Sequence, residues 1–175
     1  MPVRLCLDLN VWLGAILSER TGAPTAARML VEAVRSGVST RGPVALVISW
    51  GMLNRLRDVL ERFEFGRAEA DRLIEVLATI ARDGPSLTLG GVGVLPLKDE
   101  EDRHVLETAK AGDADLLVTQ NLKDFTGPDV QVLIPDHYHG AERADGKLLI
   151  AHTYDSAAWL RGESLPAEIE AFLKG

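Results

Sequence analysis

Short apolar runs of strand length alternate with longer stretches of helical spacing, and this alternation constrains the fold more than anything else in the chain. Residues 3–8 (VRLCLD) read as a buried strand closed by Asp8. Residues 44–48 are nearly all apolar and β-branched, as a strand covered on both faces requires. Ala26, Ala27, Leu30, Val31 and Val34 predict one buried helical stripe, stopped by Gly37. Ser49 stands where a helix N-cap belongs, ahead of a stripe of Leu53, Leu56, Val59, Leu60 and Phe63. Gly66 breaks that helix. The next, over 68–81, turns Leu73, Ile74, Leu77 and Ile80 inward and ends at Gly84-Pro85. Residues 86–97 are glycine-rich and read as a strand pair or an irregular segment. A helix over 102–111, a strand over 115–119, a loop over 120–125 and a last short strand over 130–134 complete the pattern. There is no internal repeat. Strands and helices in this order predict an α/β fold, a parallel sheet flanked by helices with right-handed crossovers.

The chain length of 175 residues fits one domain. A chain of that size buries roughly 70% of its unfolded surface, so it needs no disulfide or structural metal to fold. Residues 1–135 carry the alternating pattern. Residues 136–175 open with turn formers, then offer apolar runs at 148–151 and 157–160 and a terminal helix near 166–173. They read as a C-terminal appendage packed on the core. The lone Cys6 pairs with nothing, no apolar run reaches the roughly 20 residues of a membrane span, and no secretory signal pattern opens the chain. The cytoplasm is the expected compartment.

With 19 Lys and Arg against 26 Asp and Glu, the formal net charge is −7. That excludes broad, charge-driven nucleic-acid binding. It does not exclude an enzyme that meets nucleic acid through a metal held by carboxylates. Arg28, Arg35, Arg41, Arg55 and Arg57 supply local positive charge.

In an open parallel sheet the working cleft lies beyond the carboxyl ends of the strands. Asp8 ends the first strand. Asp99, Glu100, Glu101 and Asp102 lead into the late helix. Asn121 and Asp124 follow the strand over 115–119. Three separate connections thus deliver oxygen ligands to one edge, and hard ions such as Mg²⁺ or Mn²⁺ take such oxygens. Singly, each has an ordinary reading. Asp8 caps a helix, the acidic run complements a helix dipole, and Asp124 caps a turn.

Three segments, LDLNVW, ISWGMLNRLRDVL and DEEDRHVLETAKAGDADLLVTQNLKDF, together resemble a PIN domain over roughly 3–135. The closest flavour is the PIN-like toxin of bacterial toxin–antitoxin pairs. The resemblance implies a three-layer α/β/α fold and a Mg²⁺- or Mn²⁺-dependent ribonuclease. By position it implies Asp8, Asp102 and Asp124 as catalytic acids, with Asn121 as a further metal ligand. Asp99 matches the acid opening the D-rich loop and is a candidate for the metal's surroundings, while Asn10 and Thr119 support the site by hydrogen bonds. It also implies an RNA substrate, an antitoxin partner and a homodimer. One departure stands out. Where the family places a glutamate on the helix after the second strand, this chain has Arg55, beside Asn54. A cation there repels metal and pairs with Asp8 or Asp102 instead. Either Glu100 or Glu101 substitutes, or the enzyme works slowly with one metal, or the domain keeps only a binding role for RNA or a partner protein.

Other residues take ordinary readings. His137 and His139 form an H-x-H pair read as a surface loop, His104 reads as a solvent-facing helix residue, and His152 as a strand residue. Cys6 reads as core. Trp12, Trp50 and Trp159 read as packing residues, with base stacking as the alternative. Gly90-Gly91-Val92-Gly93 lacks the lysine and helix start of a phosphate loop. A receiver-like phosphotransfer domain using Asp8 is the remaining alternative, against which stands the absence of a lysine after Thr119.

Overall fold

The turns from strand to helix at Asp8 and at Ser49 are made where the sequence offers a cap. A computed structural model of the chain describes residues 1–63, 65–84, 86–88 and 100–175. In chain order the elements are β1 (Val3–Leu7), α1 (Leu9–Thr21), α2 (Ala26–Ser36), β2 (Val38–Ser39), β3 (Gly42–Ser49), α3 (Trp50–Arg62), α4 (Arg67–Asp83) and β4 (Ser86–Thr88). There follow α5 (Glu100–Ala111), β5 (Leu116–Thr119), a 3₁₀ turn (Leu122–Asp124), β6 (Val130–Ile134), β7 (Tyr138–Arg143), β8 (Gly146–His152), α6 (Thr153–Leu160) and α7 (Ala167–Lys174).

Asp8 caps α1, Thr25 caps α2 and Ser49 caps α3, each side chain accepting from an amide of the first turn. Gly22 and Gly37 close α1 and α2 at φ of 72° and 73°, the left-handed conformation that favours glycine. On α3 the buried face is Met52, Leu53, Leu56 and Leu60, whereas Phe63 of the expected stripe is 49% exposed. Phe63 stands at the C-cap, where the chain leaves the helix. Phe65 goes inward instead, beneath the Arg20 guanidinium at 3.8 Å.

The fold is a three-layer α/β/α arrangement around a mixed sheet. Five strands run parallel in the order β4-β3-β1-β5-β8. At one margin β2 turns back antiparallel along β3, and beyond β8 come β7 and β6, each antiparallel to its neighbour. Leu5 sits at the centre, opposite Leu46 on one side and Leu116 on the other. All of 44–49 and all of β5 are buried, as strands with helices on both faces must be.

The C-terminal segment differs from the expected appendage. β8 pairs parallel with β5 from Leu116↔Leu149 to Thr119↔His152, so residues 136–175 extend the sheet itself. Likewise β6 is not the last strand, and it lies antiparallel at the outer margin. Of the glycine-rich stretch, 86–88 form β4 beside β3, and 89–97 lie outside the described residues.

Candidate active site at the ends of β1 and β5

β1 hands over to α1 within one residue, which fixes Asp8 twice. Its backbone amide donates to Val118 O at 2.9 Å, continuing the ladder to β5. Its φ and ψ of −60° and 155° are those of an N-cap, and Oδ1 accepts the Leu9 amide at 2.6 Å. An anionic side chain suits that place, because the first amides and the positive end of the helix dipole meet there. Asp8 is only 4% exposed.

The second carboxylate oxygen belongs to β5. The Thr119 hydroxyl donates to Asp8 Oδ2 at 2.7 Å, accepts the Asn121 amide at 3.0 Å and accepts Asn10 Nδ2–H at 3.3 Å. One donor and two lone pairs are then all in use. Asn10 Oδ1 accepts the Gln120 amide at 3.1 Å, and Asn121 Nδ2–H donates to Asp124 Oδ2. Asp8, Asn10, Thr119, Asn121 and Asp124 thus lie along one hydrogen-bonded chain crossing the ends of two adjacent parallel strands. Asn121 and Asp124 are exposed and Thr119 is fully buried.

A second network joins α3 to α5. Ser49 Oγ accepts the Met52 amide at 3.2 Å and the Thr108 hydroxyl proton at 3.0 Å, and it faces His104 Nε2 at 3.3 Å. With both of its lone pairs used, the Ser49 hydroxyl has its proton left for Nε2. Gly51 makes room for the ring: a Cβ there would stand 2.0 Å from Nε2. His104 is therefore half-buried against α3, not the solvent-facing residue expected. Asp102, two residues earlier on α5, and Arg55 on α3 are both half-buried, and each has an interaction partner of its own. Helix α5 packs on β1, β3 and β5. Asp99 lies outside the described residues. The sequence named Ser49 as a cap and His104 as a helix residue. That they meet is a tertiary fact whose only local sign is a glycine at the second position of a helix.

The donor chemistry here, carboxylates and a carboxamide, is what a hard divalent ion takes. Among the described residues, no three His, Cys, Asp or Glu side chains are grouped so as to share one ion.

The remaining histidines separate. His139, expected in a surface loop, is 4% exposed on β7, with Nδ1 facing Phe125 O at 2.8 Å. The chain turns back into the sheet there and the buried ring needs a partner. His137 is exposed and pairs with Asp155 at 3.0 Å. His152 ends β8 and caps α6, Nδ1 accepting the Tyr154 amide at 3.3 Å. Trp12 is buried and donates to Leu7 O at 3.1 Å, while Trp50 is 37% exposed. Cys6 is fully buried, and burial first, then Asp8, pushes its thiol well above the ordinary range.

No curated protein and no solved structure matches the chain. Residues 4–123 match the family model of the PIN domain, a span that takes in Asp8, Arg55, Asp102, Thr119 and Asn121 and stops one residue short of Asp124. With more than half of its length in that match, and with the sheet order and three layers described above, the chain belongs to the PIN domain family.

Proposed function

We propose that the chain is a Mg²⁺- or Mn²⁺-dependent endoribonuclease. Asp8, Asp102 and Asp124 are its acids and Asn121 is a further ligand, with Asp99, outside the described residues, as the remaining candidate the resemblance implies. The observation that carries the reading is the bond from Thr119 to Asp8, which locks a buried carboxylate at the carboxyl ends of the two central strands of a PIN domain. The ion supplies a Lewis acid for the phosphodiester and lowers the pKa of water. The chain's own residues do the positioning. Leu9 N–H and Thr119 O–H hold the Asp8 carboxylate in one orientation, Asn10 ties Thr119 to the Gln120 amide, and Asp124 orients the Asn121 carboxamide. RNA in the cytoplasm is the substrate, and an antitoxin protein and a second copy of the chain are the partners this reading carries with it.

Asp8→Asn tests it directly. Asparagine also caps helices, but its Nδ2 faces a Thr119 hydroxyl whose lone pairs are both taken, so the fold loses about 1–3 kcal/mol and stays folded by circular dichroism, while RNA cleavage with Mn²⁺ disappears. Asp102→Asn has the same outcome. If the purified protein cuts no RNA and Mn²⁺ does not move its melting temperature, the reading is wrong.

Arg55 supports a second reading, a PIN module that binds RNA or a partner protein with little or no cleavage. Arg55→Glu then creates an Mn²⁺-dependent thermal shift that the parent lacks. A shift in the unmodified protein refutes this version.

A further inference from the structure

The row of residues that holds Asp8 continues past the family match, onto β8. Leu7↔Val118 is the last pair between β1 and β5, which sets Asp8 opposite Thr119, and Thr119 pairs in turn with His152. In-register residues of adjacent strands turn their side chains to the same face. Asp8, Thr119 and His152 therefore form one row at the carboxyl edge of the sheet. With strands about 4.8 Å apart, the backbone at His152 stands about 10 Å from that at Asp8.

Past His152 the chain enters α6, and the ring it sends out is Tyr154. Tyr154 is 72% exposed, more than any other Phe, Trp or Tyr of the chain. The ring does not lie loose. It stacks on the His152 imidazole, with centroids 5.2 Å apart and planes 25° from parallel. The imidazole is held in its turn: Nδ1 accepts the Tyr154 amide at 3.3 Å, and the Ser156 hydroxyl donates to His152 O at 2.9 Å. Thr153 and Ser156, before and after Tyr154, are buried and fix the first turn of α6. So exposed a ring adds little to the stability of the fold. Held flat and open beside a row that carries a buried acid, it suits a ligand with a flat face of its own.

The geometry points to Tyr154, backed by His152, as a shelf on which an unpaired base of the RNA stacks. The proposal deepens the ribonuclease reading and rests on it for the identity of the ligand. Exposed aromatic rings bind single strands through their bases, with little regard to sequence. A chain of net charge −7 has particular use for such a contact, because phosphates alone give it little affinity. The stacked base belongs to a nucleotide close to the one whose phosphate lies at Asp8. His152 and Tyr154 both fall outside 4–123, so the family pattern assigns neither.

The test is fluorescence titration of the full chain with short single-stranded RNAs, each carrying 2-aminopurine at a different position. Ca²⁺ replaces Mn²⁺ so that the strand stays whole. Stacking on the ring quenches the probe at one position. Tyr154→Ala abolishes that quenching and weakens binding about tenfold, the order of one stacked base. Tyr154→Phe keeps both, because the ring and not the hydroxyl carries the contact. The melting temperature of Tyr154→Ala stays that of the parent, as for other exposed positions. An RNA with an abasic site at the quenched position binds the parent and Tyr154→Ala alike. Phe63→Ala removes another exposed ring, at the far end of α3, and changes nothing. Cleavage with Mn²⁺ separates the shelf from the nuclease. Cleavage by the parent with indifference to Tyr154→Ala overturns the shelf alone, whereas Tyr154-dependent binding without cleavage supports the shelf and removes the nuclease. Absence of RNA binding, an equal loss in Phe63→Ala, or a changed oligomeric state in Tyr154→Ala with RNA binding intact overturns the proposal.

Discussion

Gly51→Ala tests the contact between α3 and α5. The new Cβ would stand 2.0 Å from His104 Nε2, 2.7 Å from Cε1 and 3.1 Å from Cδ2. The obstruction is a ring at the end of a side chain, so the ring rotates away and its bond to Ser49 is lost. That bond contributes about 1 kcal/mol, and forcing the packed ring aside adds about 1–2 kcal/mol. Alanine's advantage over glycine in a helix returns up to about 0.8–1 kcal/mol, less near the N-terminus. The net loss is about 1–2 kcal/mol, a fall in melting temperature of about 2–8 °C for a chain of this length. Urea denaturation of a double-mutant cycle with His104→Ala isolates the cause. With the ring gone, the same Gly51→Ala becomes neutral or stabilising by a few tenths of a kcal/mol. A Gly51→Ala cost that is the same with and without His104 refutes the argument.

Thr119→Val leaves Asp8 Oδ2 and the Asn121 amide without their shared partner, costing about 2–3 kcal/mol in urea unfolding, while Thr119→Ser costs under half as much. The Tyr138 phenol is raised in the fold from an ordinary value of 10.0 to about 12, so the unfolded chain loses that proton first. Stability therefore falls as pH rises through this window and not below it, and Tyr138→Phe flattens the loss between pH 10 and 12 in alkaline melts followed by circular dichroism. Cys6 resists thiol reagents at pH 8 until denaturant is added, because the thiolate is what reacts and burial disfavours it. A chain ended after Pro135 forfeits the burial of Leu148, Ile150, Leu160 and Ile169, together about 6–12 kcal/mol and comparable with the whole stability of a domain; cooperative unfolding of that fragment would contradict the sheet order.

Most of the central sheet is legible in the chain, because strands covered on both faces write themselves as unbroken apolar runs. Residues 44–48 and 115–119 are read within a few residues of β3 and β5 for that reason. Caps are legible too, since Ser49, Gly37 and the alternative reading of Asp8 as a cap rest on local hydrogen bonds. β7 is not legible. Its sequence, YHGAER, has no β-branched residue, and it forms because β8 pairs with it and the Phe172 ring lies over Gly140, where a Cβ would come within 2.4 Å. The apolar run 148–151 is visible, but nothing in it names β5 as its neighbour. The same non-local cause hides the seat of His104 under α3 and the burial of His139.

The match to the family ends at residue 123, and the sheet does not. Without β8, β5 would be a margin strand and Thr119 would sit on it. A hydroxyl there would trade its bond to Asp8 against water, and the carboxylate would lose the second of its two anchors. β8 prevents this by pairing Thr119 with His152, and His152 in turn donates its amide to His137 O at 3.1 Å. His137 then reaches Asp155 on α6. The residues that order Asp8 and those that tie β8 to α6 are therefore successive neighbours along one sheet edge, at the carboxyl ends of β1, β5 and β8, where open parallel sheets place their ligands. The family pattern supplies the carboxylate, and this chain's last forty residues supply the strand that keeps it dry.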